Sequence, residues 1–128
     1  VVDCGTAVTI DLVNEKGQFL GGVILPGLNT AYHSLRAGTV AVEEINSINQ
    51  GVSPVAQSTE DGVVTGVLLG LVGGIERVIH EQSSQLDQAP VVLLTGGDAE
   101  TLLPYLTLPA IIQPDLVLEG LGIFGDEQ

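Results

Sequence analysis

The chain is poor in bases, aromatics and thiols. Lysine and arginine together number three, against 16 aspartates and glutamates, for a net charge of −13. Such a surface repels polyanions, so neither nucleic acid nor an anionic membrane is expected as an unaided partner. Any phosphate-binding role must then use backbone N–H groups, helix N-termini and bound cations rather than Lys or Arg. There is no Trp, and only two Phe and two Tyr, which leaves a core of Val, Leu and Ile. The single cysteine, Cys4, excludes an internal disulfide framework and fits a reducing cytoplasm. His33 and His80 lie far apart beside that lone thiol, so no zinc-type cluster is expected. The first residues lack a basic stretch ahead of an apolar run, and no secretory leader is expected there.

What is present suits one compact domain over residues 1–128. Apolar residues make up 45% of the chain, enough for a real core and too many for disorder. The 17 glycines point to turns and close backbone approaches. Val1–Asp3 reads as the tail of an apolar strand, and Cys4–Thr6 as a turn. Ala7–Val13 alternates and is rich in β-branched residues, as a strand requires. Asn14–Gly17 is a hairpin turn. Gln18–Leu25 is a third strand, interrupted by Gly21-Gly22 and closed by Pro26-Gly27.

Leu28–Ala37 has helical spacing, with Leu28, Tyr32 and Leu35 on one face and Asn29, His33 and Arg36 on the other. His33 either faces a pocket together with Arg36 or, as its polar helix face favours, is a surface histidine. Thr39–Gln57 is irregular, with Val40, Val42 and Ile45 as a short extended piece. Ser58-Thr59-Glu60-Asp61 has a hydroxyl cap and first-turn acids, which start a helix running to about Gln85. Pro90–Thr95 is a continuous apolar run, expected as a strand covered on both faces. Gly96-Gly97 follows, then a helix over Asp98–Leu106, a strand over Leu108–Gln113 and a short helix over Leu116–Leu121. Three meandering strands followed by helix-separated strands predict an α/β mixed sheet flanked by helices, the ribonuclease H-like pattern.

Two glycine turns carry the chemistry. In Asp3-Cys4-Gly5-Thr6 an acid ends a strand, Gly5 admits a close ligand, and Thr6 adds a hydroxyl. Asp3 repels phosphate but can hold a cation that bridges to one; otherwise it only caps the turn. Gly96-Gly97, after a buried strand and before a helix, offers bare N–H groups to a ligand or serves as a plain connection. Thr59 caps a helix or faces a pocket. Gly62, Gly66, Gly70 and Gly74 recur every four residues on α-helical spacing. Each costs roughly 1 kcal/mol relative to Ala, so close packing within the fold or between two copies is expected to offset them. The uncharged run Gly62–Ile75 is too short to span a bilayer, which needs about 20 residues.

VVDCGTA at Val1–Ala7, GGVILPG at Gly21–Gly27, TGGDAE at Thr95–Glu100 and PDLVLEGL at Pro114–Leu121 occur in this order. Together they resemble the C-terminal half of type III pantothenate kinases, and QSTEDGVVTGVLLG matches a further motif of that family more loosely. The resemblance implies ATP-dependent phosphorylation of pantothenate, the first step towards coenzyme A, in a cytoplasmic homodimer. It implies ATP, magnesium and a monovalent cation, potassium or ammonium. By motif position Asp3 corresponds to the cation-holding acid, and Gly5, Thr6, Gly96 and Gly97 to the ATP site. Thr59 corresponds to the pantothenate contact. The family's base, an aspartate in a Gly-Pro-Asp-Arg motif of a preceding unit, has no counterpart here. An N-terminal unit is therefore expected to be missing and this chain alone to be inactive. Gly62 stands where the family prefers Ala, Glu60 and Asp61 flank the substrate position, and Thr39–Glu43 departs from a Thr-Ala-x-Leu-Pro stretch. The rivals are a non-enzymatic regulator of the Bvg accessory factor type and a related kinase with another acceptor.

Overall fold

A computed structural model of the protein describes residues 1–38 and 52–126. The extended piece expected at Val40, Val42 and Ile45 and the divergent Thr39–Glu43 lie outside them. Five strands, β1 (Val2–Cys4), β2 (Ala7–Val13), β3 (Phe19–Pro26), β4 (Leu93–Thr95) and β5 (Ile111–Ile112), form one sheet in the order β3-β2-β1-β4-β5. The first three are antiparallel neighbours, while β4 runs parallel to β1 and β5 parallel to β4. This is the mixed, ribonuclease H-like sheet that the element order predicts.

Alternation along β1 and β2 divides the faces. Val2, Cys4, Val8 and Ile10 are buried in the core. Asp3 pairs with Thr9, and Thr9 with Ile24, so these three share the opposite face. Ile24 there is 73% exposed. The core lies on the other side, under helices α1 (Leu28–Gly38) and α2 (Thr59–Ser83), and is completed by Leu94, Ala99 and Leu102.

Ser58 is the N-cap of α2, its Oγ accepting the Asp61 N–H at 3.1 Å, and Glu60 and Asp61 sit at the positive end of the helix dipole. From α2, Leu68, Leu71, Val72, Ile75 and Ile79 enter the core, each stabilising the fold by about 1.5–3 kcal/mol. Among the described residues α2 alone is long and apolar enough by composition to cross a membrane. The expectation that Gly62–Ile75 is too short holds for that run and not for the whole helix. Of the apolar window, 39% is buried inside the fold.

Prolines trim the later elements. The run expected as a strand from Pro90 pairs only from Leu93, because Pro90 has no N–H to donate and β1 offers only Val2 and Asp3 as partners. Val91 is 71% exposed, so the run is not covered at both faces along its length. The helix expected over Asp98–Leu106 is α3 (Ala99–Leu102) followed by a 3₁₀ turn, Leu103–Tyr105, with Pro104 inside it. The last helix, α4 (Leu116–Asp126), passes through Gly120 and Gly122 and runs beyond the expected end at Leu121.

Candidate functional site

Strands β1, β3 and β4 all point the same way, so their carboxyl ends reach one edge of the sheet. In open α/β sheets that edge is where ligands bind. Three glycine turns leave it here: Gly5-Thr6 after β1, Gly27 after β3 and Gly96-Gly97 after β4.

Hydrogen bonds lock these turns together. The Thr6 carbonyl accepts the Gly27 N–H at 2.9 Å and the Thr30 hydroxyl at 2.7 Å. A β-carbon at Gly27 would stand 2.1 Å from the Gly5 carbonyl oxygen, so only glycine lets the start of α1 approach the hairpin this closely. On the other side the Asp98 N–H donates to the Cys4 carbonyl at 3.0 Å. Gly96 has φ +92°, and a β-carbon there would meet Asp3 Oδ1 and the Cys4 carbonyl oxygen, each at 2.6 Å. Gly97 faces open space. Asp3, Gly5, Thr6, Gly96 and Gly97 are thus brought to one place.

Between α1 and these turns lies an open cleft of about 400 Å³, lined by Gly5, Thr6, Asn29, Thr30, His33 and Asp98. Burial pushes the Asp98 carboxyl above its ordinary value. Burial first, and then the Asp3 and Asp98 charges, push the Cys4 thiol up to about 11. Cys4 is fully buried, an inert packing residue rather than a nucleophile.

Of the expected site residues only Gly5 and Thr6 line this cleft; Asp3, Gly96, Gly97 and Thr59 do not. Thr59 is the exposed first residue of α2, and the capping hydroxyl is that of Ser58. His33, read from its polar helix face as a surface residue, is exposed but borders the cleft. Asn29, Thr30 and Asp98 were not legible as site residues singly. The signal for them is topological: β3 is parallel to β1, so the residues after Pro26-Gly27 must lie beside those after Cys4.

A family profile described as type III pantothenate kinase matches residues 1–81. The type III pantothenate kinase of Gluconobacter oxydans is 36% identical over 98% of this chain and 46% of its own length. That of Alkalilimnicola ehrlichii is 40% identical over 95% of this chain and 48% of its own. The chain spans about half the length of the curated relatives it matches. A crystal structure from Campylobacter jejuni, described as a Baf family transcriptional activator, superposes with a TM-score of 0.73 at 26% identity, covering 98% of this chain and 56% of that one. By profile and by relatives, this chain belongs to the type III pantothenate kinase family.

Proposed function

We propose that this chain is the second unit of a pantothenate kinase and supplies part of its ATP and cation site. In this reading Gly5, Thr6, Gly96 and Gly97 receive the phosphates of ATP. Asp3 holds a potassium or ammonium ion beside them, magnesium accompanies the nucleotide, and Thr59 contacts pantothenate. A preceding unit carries the Gly-Pro-Asp-Arg aspartate as general base, and the whole works as a cytoplasmic homodimer. The observation that carries the reading is the meeting of the β1 and β4 turns around Asp3 at the carboxyl edge of the sheet.

The residues fit a shared cation better than a protein-caged one. Among the described residues no three His, Cys, Asp or Glu side chains stand together as a metal site. A cation at Asp3 would therefore complete its shell with phosphate oxygens and water. Catalysis in such a site is mainly positioning and charge stabilisation. Calorimetric titration of the 128-residue chain with magnesium ADP tests the nucleotide role. Saturable binding that Gly97→Val weakens at least tenfold supports it, and no binding at millimolar nucleotide overturns it. Turnover of pantothenate by the chain alone would overturn the assignment of the base to another unit.

The Campylobacter neighbour favours a second reading, a regulatory protein on the same fold. The net charge of −13 works against DNA contact by this unit. Specific DNA binding by the chain at physiological salt would support that reading over the kinase.

A further inference from the structure

We propose that His33 is a ligand-contacting residue of the cleft, its imidazole N–H donating to a phosphate oxygen of the nucleotide. This rests on the nucleotide-binding reading above and adds a residue to it. His33 stands one helical turn beyond Asn29 on α1, and both line the cleft opposite the Gly5-Thr6 hairpin. The neighbouring Tyr32 is buried and meets the imidazole edge-on, with ring centroids 5.7 Å apart at 60°. That contact limits the orientations open to the ring.

Charge makes His33 the distinctive member of the lining. The only Lys and Arg residues of the chain are Lys16, Arg36 and Arg77, and none borders the cleft. Lys16 lies in the β2–β3 turn, at the opposite edge of the sheet, and Arg77 pairs with Glu81 at 2.7 Å. Of the other donors, the Thr30 hydroxyl is committed to the Thr6 carbonyl. Among the described lining residues His33 is then the one basic side chain and Asp98 the one acidic side chain. An anionic ligand settles on the α1 wall, away from Asp98, where Asn29 and His33 can donate to it.

Magnesium ADP titrated into the chain tests this, read by histidine side-chain NMR and by calorimetry. The His33 resonances should move with saturation, while those of His80, on α2 outside the cleft, stay fixed. His33→Leu should weaken binding about fivefold or more, as expected for losing one hydrogen bond to a charged group, and His33→Gln, which keeps a donor, should stay within about twofold of the parent. Saturable binding with a static His33 and unchanged affinity in His33→Leu overturns the assignment and leaves the nucleotide site standing. No shift at Gly5, Thr6 or Gly96 at any nucleotide concentration overturns both.

Discussion

The carboxylate of Asp3 lies against the α-carbon of Gly96, so the ends of β1 and β4 meet without a side chain between them. Two features forbid a larger residue there: the left-handed φ of +92° and the 2.6 Å approach to Asp3 Oδ1 and the Cys4 carbonyl. Gly96→Ala should cost about 1–3 kcal/mol of stability through backbone strain and displaced neighbours, and it should abolish nucleotide binding as Asp3 moves. Gly97→Ala, with open space around it, should change stability by no more than about 0.5 kcal/mol. Urea unfolding of the two variants beside the parent checks the contrast, and equal losses would contradict it.

If Asp3 holds a cation beside phosphate, Asp3→Asn in an active two-unit enzyme should raise the potassium concentration needed for half activity. Removing one charged contact is worth about 1.5–3 kcal/mol, roughly ten- to a hundredfold in that midpoint. An unchanged potassium titration would reduce Asp3 to a turn residue.

The Cys4 thiol, buried and held at about 11 by its surroundings, should resist alkylation at pH 8 in the folded chain and react readily in urea. Rapid labelling of the native protein would show that β1 opens easily from β2 and β4.

Much of this architecture is legible in the order of residues. The alternation of Ala7–Val13 locates β2 to the residue, and the hydroxyls and acids of Ser58–Asp61 locate the start of α2, although the capping residue is Ser58 and not Thr59. The strand ends around Pro90 and Pro109 are misjudged because hydrophobic runs mark burial, whereas ladder pairing depends on what the neighbouring strand offers. The glycine turns of the candidate site are visible as motifs. The α1 wall is legible only as the less favoured reading of His33, since Asn29 and His33 join the cleft because β3 lies parallel to β1. The ladder of glycines is partly misread too. A step of four residues drifts about 40° around a helix, so Gly66 and Gly70 point outward while Gly74 turns in against Leu25 Cδ1 at 3.5 Å.

Glu76 on α2 straps down the segment before β5. Its carboxylate accepts the backbone N–H and the hydroxyl of Thr107, the latter at 2.8 Å. Partial burial by itself raises the carboxyl, but these donors and the Leu108 N–H outweigh it and hold Glu76 below its ordinary value. A depressed carboxyl stabilises the fold above the unfolded-state pKa, and that contribution disappears as pH falls through the folded value. Glu76→Gln should therefore lower the melting temperature at pH 7, by an amount equivalent to about 1 kcal/mol or less at so exposed a site. The two proteins should converge near pH 3. A constant difference across that range would show that packing, not charge, is lost.

The outward glycines of α2 lead to the last expectation. Among the described residues, and apart from the helix's own adjacent backbone, no atom lies within 4 Å of a β-carbon built at Gly66, Gly70 or Gly73. Packing among the described residues therefore does not explain the helix cost of Gly66 and Gly70, roughly 1 kcal/mol each. Leu69, 39% exposed, stands beside them. A second copy approaching along this edge would use the bare backbone and cover Leu69, as close helix pairs do. Gly70→Leu should then split the dimer while the far-ultraviolet circular dichroism stays unchanged, since the cost of overpacking falls on the interface. Should the edge be free in solution, Gly66→Ala with Gly70→Ala would instead stabilise the chain by about 1–2 kcal/mol through helix propensity. Sedimentation and thermal unfolding of both variants decide between them. A parent that sediments as a monomer, or a Gly70→Leu dimer of undiminished affinity, would remove this edge of α2 from the interface.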